Sequence, residues 1–226
     1  ALYNREHQPK RAETIFSRYH SVEAEIGADF ANWPADTVRR LQTLAAENPK
    51  SALVALHLGI ALYWSRRDQE AQTAWRAAEK LQPDSPYAVR AADFLHPRFP
   101  IPGLPTFVPT FTIPRRIGRL QPAQQVAALE RAARAGGAHA RILYGIALQK
   151  LGRRVSAERE FAAAKREAPK DPEAVVAAAV GRFSKDDPSK AFSRLGPLVR
   201  TFPHAQTVRF HLGLLLIWIA QVPKAR

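Results

Sequence analysis

The sequence predicts an all-α solenoid of antiparallel helix pairs, and three observations carry that prediction. Residues of like character recur at a spacing of 34: Pro169 and Pro203, Ala157 and Ala191, Phe161 and Leu195, with Gly145 and Gly213 at twice that distance. Apolar and small residues fall in stripes at spacings of three and four, which mark one face of a helix. Prolines fall between the stripes, where helices must end. A fixed period of this length marks an array of supersecondary units whose neighbours share one continuous core.

Composition bounds the chemistry. The chain has 226 residues, 46% apolar and 24% charged, enough apolar content to bury a core. It has no cysteine, which excludes disulfides, thiolate zinc sites and a cysteine nucleophile. It has no methionine and begins at Ala1, so we expect a piece of a longer protein. Ala1–Tyr3 would then end an upstream anchor, and the piece itself is read as soluble, cytoplasmic or tethered through a segment outside it. The longest apolar stretch, Phe210–Val222, is broken by His211 and Gln221 and falls short of the ~20 residues a spanning helix needs.

The elements follow in order. Ile15, Tyr19, Val22 and Ile26 form a 4-3-4 stripe and predict a helix near 11–27, within an N-terminal segment 1–33. Pro34–Asn48 reads as the second helix of a unit, with Leu41 and Leu44 inward and Pro34 in the first turn, where a missing N–H costs nothing. Ala52–Ser85 is a full pair, and Pro86–Leu95 opens the next, closing a first block at 34–95. Residues 96–120 interrupt the array. Six of the chain's 18 prolines lie between Pro97 and Pro114, which excludes helix and predicts extended, polyproline-like backbone. Phe99, Ile101, Leu104, Phe107, Val108, Phe111 and Ile113 make this insert too apolar for a flexible linker, so it is built to pack. A second block, 121–226, holds Gln121–Ala135, the full pair Ala138–Asp171, a weaker pair Pro172–Ala205, and Gln206–Arg226, cut off where its second helix is due.

Ala52–Ser85 carries Leu58-Gly59, Ala71, Trp75, Ala78 and Pro83. Ala138–Asp171 carries Tyr144-Gly145, Ala157, Phe161, Ala164 and Pro169 at the same places. This pattern resembles the tetratricopeptide repeat family, in which the small residues let two helices approach and the large one fills the hole between them. Only Tyr144, in place of leucine, departs from it. The resemblance implies a right-handed superhelix with ligands on a concave groove lined by the first helix of each unit. In this chain those places are Leu53, Leu56, Ile60, Tyr63 and Trp64; His139, Ile142, Ile146, Gln149 and Lys150; Glu173, Val176, Val180 and Phe183; and Thr207, Phe210, Leu214, Ile217 and Trp218. The groove is mostly apolar. The Lys, Asn and Arg with which chaperone-binding members clamp a peptide carboxylate are not at their places, so that mode is rejected.

An apolar groove needs a cover. Three are available: the insert folded back as a built-in ligand, the N-terminal helix, or a partner chain or second copy. The final helix, Thr207–Ala220, should leave Phe210, Leu214, Leu215, Ile217 and Trp218 partly bare, which predicts self-association through that end or partial disorder there.

Catalysis has little support. No H-x-x-x-H or H-E-x-x-H pair occurs among the seven histidines, no phosphate loop follows Gly136-Gly137, and Asp186-Asp187 before Pro188 read as helix caps. No catalytic residue, metal or cofactor is expected. Charge is divided: residues 1–97 hold 12 basic and 12 acidic side chains, whereas 98–226 hold 22 and 8. Arg115, Arg116, Arg119, Arg153, Arg154 and Lys185 are expected along one basic edge. The sequence therefore reads as a non-enzymatic protein-interaction scaffold. The alternative is nucleic-acid or other polyanion binding along that edge, with the steep salt dependence such contacts bring.

Overall fold

A computed structural model of the chain describes residues 8–225; the expectation for Ala1–Tyr3 lies outside them. Every regular element among the described residues is helical. They are α1 (Pro9–Phe16), α2 (Val22–Ala31), α3 (Thr37–Glu47), α4 (Ala52–Trp64), α5 (Asp68–Leu81), α6 (Pro86–Leu95), α7 (Arg115–Gly118), α8 (Pro122–Ala135), α9 (Ala138–Lys150), α10 (Arg154–Glu167), α11 (Pro172–Val180), α12 (Ser189–Leu195), α13 (Leu198–Thr201), α14 (Gln206–Trp218) and α15 (Val222–Ala225). Helices adjacent in sequence pack on one another, most extensively α4 on α5 and α9 on α10. Their short connections make such neighbours antiparallel.

Local chemistry sets the boundaries. Ser21, Ser51 and Ser85 each accept a hydrogen bond from the backbone N–H three residues on, capping α2, α4 and α6. Pro86, Pro122 and Pro172 open α6, α8 and α11, where their missing N–H would have no partner anyway. Two expectations for the N-terminal segment are corrected. The single helix near 11–27 is two, because the chain breaks at residues 17–21 and Ser21 starts α2 afresh. Ile15 and Tyr19 of the supposed stripe are exposed, while Ala12 and Ile26 are buried. The helix expected from Pro34 starts at Thr37: residues 32–36 turn, and Asp36, at φ 53°, stands outside the right-handed helical region. The buried Thr37 hydroxyl ties that start to the Asp29 carbonyl at 2.9 Å.

The repeated small–large pairs do what close packing requires. A Cβ on Gly59 would stand 2.3 Å from the Trp75 ring, and one on Gly145 would stand 2.5 Å from Phe161. Each large ring therefore occupies the space the glycine leaves, and Trp75 also donates its Nε1–H to the Leu56 carbonyl at 3.2 Å. Residues 96–114 carry no helix, as six prolines demand, but the insert expected to be extended over 96–120 ends in one helical turn, α7, past its last proline. They are nonetheless packed. Phe107 is fully buried in the core of the second block, with Phe99, Ile101, Leu104 and Phe111 against it.

Candidate functional site

The places read as groove-lining divide into two sets with different fates. In the second block they meet the proline-rich segment. Its backbone is extended and makes no helical hydrogen bonds, so its N–H groups need partners. Side chains of the helices supply them. The Gln149 carboxamide works in both directions, accepting from Phe107 N at 3.0 Å and donating to Pro105 O at 3.2 Å. His211 Nε2 accepts from Val108 N at 3.0 Å, and Glu173 accepts from Thr110 N at 3.2 Å. Aromatic contacts run alongside: Phe107 stacks on His211 with centroids 4.5 Å apart, and Phe111 on His139 at 4.0 Å. Phe99 meets Phe183 edge-on.

Ile142, Ile146, Val176, Val180 and Phe183 are buried in this core, and Leu214 is half-buried. Lys150 points to solvent, and His139 pairs with Asp171 at 3.1 Å. Thr207 is buried, and its carbonyl accepts from His211 Nδ1 at 2.7 Å. The final helix needs a correction. Leu215 and Trp218, expected partly bare, are buried, while Phe210 and Ile217 are exposed. The terminal α15 turns back to pack on α14, so that helix is not left without a neighbour.

In the first block the corresponding places border an open cleft of about 820 Å3 between α2, α4 and α6. Ile60, Tyr63, Trp64 and Leu53 line it from α4, Phe30 and Ile26 from α2, and Phe94 from α6. Leu56 lies buried behind, against Trp75. Tyr63 and Trp64 are more than half exposed. Trp64 is held by edge-on contacts with Phe30 and Trp33, at 5.5 and 5.3 Å. The polar groups at the wall are Glu23, His57, Arg90 and Asp93. His57 Nδ1 lies 2.8 Å from the Leu53 carbonyl, so it carries the proton and Nε2 is an acceptor. Burial holds the His57 pKa below its ordinary value of 6.5 and keeps the ring neutral.

Asp93 belongs also to a buried hub. Its Oδ1 accepts from Lys185 Nζ at 2.6 Å and from Gly103 N at 2.8 Å, and the same ammonium donates to Ile101 O at 3.0 Å. The hub ties α6, the proline-rich segment and the loop after α11 together. Lys185 was expected on a basic edge. Its side chain is 2% exposed and offers no charge to a polyanion. Arg153 is engaged with Asp84 at 3.3 Å, and Arg154 stands by Glu79 and Asp186 at a small cavity wall. Arg115, Arg116 and Arg119 are exposed. Neither aspartate stands at the N-cap of α12, which is Pro188: Asp187 accepts from Ser189 N at 3.2 Å just before it, and Asp186 pairs with His96 at 2.7 Å.

Neither His57 nor His211 nor the Asp93–Lys185 pair was singled out from the sequence. A signal for the histidines was present: His-Leu-Gly followed five residues later by Trp occurs at 57–64 and again at 211–218. The ion pair joins residues 92 apart and has no sequence signature. Among the described residues no group of three or more His, Asp or Glu side chains could hold a metal ion, and no helix is long and apolar enough to cross a membrane. No family model matches the sequence, and no curated protein matches it significantly.

Proposed function

We propose that the chain is a non-enzymatic protein-interaction scaffold: a right-handed, tetratricopeptide-like solenoid interrupted by the proline-rich insert, with the first-block cleft as its docking surface. The observation that carries this reading is the contrast between the two grooves. The second is filled by the chain's own insert, hydrogen-bonded through Gln149, His211 and Glu173. The first is an open cavity of about 820 Å3 rimmed by Phe30, Tyr63, Trp64, Trp75 and Phe94, within the ~300–1,000 Å3 of ordinary binding pockets. Aromatic side chains of that kind dominate binding energies at protein interfaces. The glycine-on-aromatic pairs Gly59–Trp75 and Gly145–Phe161 support the repeat architecture.

The test uses the cleft rather than the filled groove. Aspartates at Ile142 or Ile146 would fall in the core and report only unfolding. A photo-crosslinking residue at Tyr63 should trap a defined protein in the native lysate, and Ile60→Asp should abolish that product. The same residue at exposed Lys150 should not give it. Nucleic acid retained at Arg115, Arg116 and Arg119, and lost on raising salt, with no Tyr63 product, would replace this reading with the polyanion one.

A further inference from the structure

The two histidines of the repeated His-Leu-Gly sequence stand at the same place in two helices of equal length. α4 and α14 each have 13 residues; His57 and His211 are the sixth, and Trp64 and Trp218 the last. Both rings lie against the carbonyl four residues back through Nδ1, at 2.8 Å for His57 and 2.7 Å for His211. That bond fixes the same tautomer in both and leaves Nε2 with a lone pair. In α14 the lone pair is used: it accepts the N–H of Val108, from an extended strand whose Phe107 stacks on the same ring. The adjoining Trp218 is buried. In α4 no protein group among the described residues bonds His57 Nε2; the ring borders the open cleft, and Trp64 is 55% exposed.

We infer that the first-block cleft takes an extended, apolar, proline-interrupted segment of another protein, and that His57 Nε2 accepts a backbone N–H from it as His211 does from Val108. The occupied groove shows the chemistry required. Prolines hold the segment extended and remove surplus donors, so one ring nitrogen can satisfy an N–H left between them. An aromatic or branched side chain beside that N–H supplies the face that stacks on the imidazole. The body of a helical segment fails this requirement, because beyond its first turn its N–H groups are already bonded internally. His57 is thus a specificity-determining residue that selects extended over helical ligands. The inference rests on the cleft being the docking surface.

The test uses a fluorescent peptide with the sequence of residues 103–111 and the full chain, read by anisotropy. A second peptide carries an N-methyl group at the position of Val108, which deletes the donor and leaves the protein untouched. We expect the first peptide to bind, Ile60→Asp to abolish binding, and N-methylation and His57→Phe each to weaken it about tenfold, the cost of losing one buried hydrogen bond and leaving one partner unpaired. Combined, the two changes should cost no more than either alone. Binding that Ile60→Asp abolishes but N-methylation and His57→Phe leave unchanged overturns the role of His57 while the cleft stands. Binding unaffected by Ile60→Asp overturns both. Absence of binding to the wild-type chain overturns the extended-ligand inference, and the Tyr63 crosslink then decides the cleft separately.

Discussion

Replacing His211 by phenylalanine removes the Nε2 acceptor and the Nδ1–H donor and keeps an aromatic ring of similar size. The new ring keeps the stacking on Phe107, whose centroid lies 4.5 Å from that of the imidazole at an interplanar angle of 11°. The Thr207 carbonyl loses the Nδ1–H but stays in the helical ladder. The Val108 N–H, now 3.0 Å from Nε2, is left facing carbon. An unpaired buried donor costs about 1–3 kcal/mol, and burying a more apolar ring returns part of that, so a net loss of about 1–2 kcal/mol is expected. For a chain of this size that lowers Tm by about 2–4 °C per kcal/mol. The pH dependence adds a second signature. Burial holds the His211 pKa below its ordinary 6.5, so between the two values the unfolded chain binds the extra proton. His211 therefore stabilises the fold fully above 6.5, and that contribution falls as pH drops towards the folded value. His57 is shifted in the same sense, so the comparison is the difference between variant and wild type. Denaturant unfolding at about pH 7.5 and about pH 5.5 should show the gap between the two shrinking at the lower pH. His211→Gln, whose carboxamide accepts without titrating, should keep more of the stability at both. Hydrogen exchange should find the Val108 amide deprotected in His211→Phe. A variant as stable as wild type, with Val108 still protected, would refute the view that this bond seats the insert.

Three further outcomes follow from the packing. Gly145→Ala places a methyl 2.5 Å from Phe161 and should cost about 1–3 kcal/mol by thermal unfolding, with Phe161→Leu restoring part of it in the double variant. Lys185→Met leaves the Asp93 carboxylate buried without its ammonium and should cost about 3–5 kcal/mol, while Lys185→Met with Asp93→Leu should recover part of the loss in a double-mutant cycle, the Gly103 N–H then lacking its acceptor. Self-association through the last helix, if it occurs, must use the exposed Phe210 and Ile217, so Phe210→Asp should abolish any dimer seen by analytical ultracentrifugation. Trp218→Asp should unfold the end of the chain instead.

The helical class was legible because its causes are local. Stripes at three and four and prolines at unit ends act within a few residues, and α6 begins and ends where the pattern placed it. The segment near 11–27 misled because its stripe was apolar without being one face: Tyr19 is 63% exposed, and nothing in the spacing disclosed the break before Ser21. The apolar character of residues 96–120 announced that they pack, and left three covers open for the groove. Choosing among them depended on side chains far apart in sequence, such as Gln149 reaching Phe107 and His211 reaching Val108. The basic edge failed at Lys185 for the same reason, since its partner Asp93 sits in another block.

The insert and the open cleft are mechanically joined through that pair. Asp93 stands in the wall of the first-block cleft and holds Gly103 N, at the start of the segment that fills the second groove. Arg90 reaches the same carboxylate at 3.5 Å from the cleft side. Lys185 and Gly103 meet Oδ1 of that carboxylate and Arg90 meets Oδ2, so a cationic group entering from the cleft side would compete first with Arg90. An apolar, uncharged segment leaves the hub intact. A ligand cation at that end of the cleft would also face the Arg90 guanidinium, so an uncharged group is the one expected there. On the inference that the cleft takes an extended apolar segment, the Arg90 charge adds one requirement: that segment should carry no positive charge where it passes Arg90.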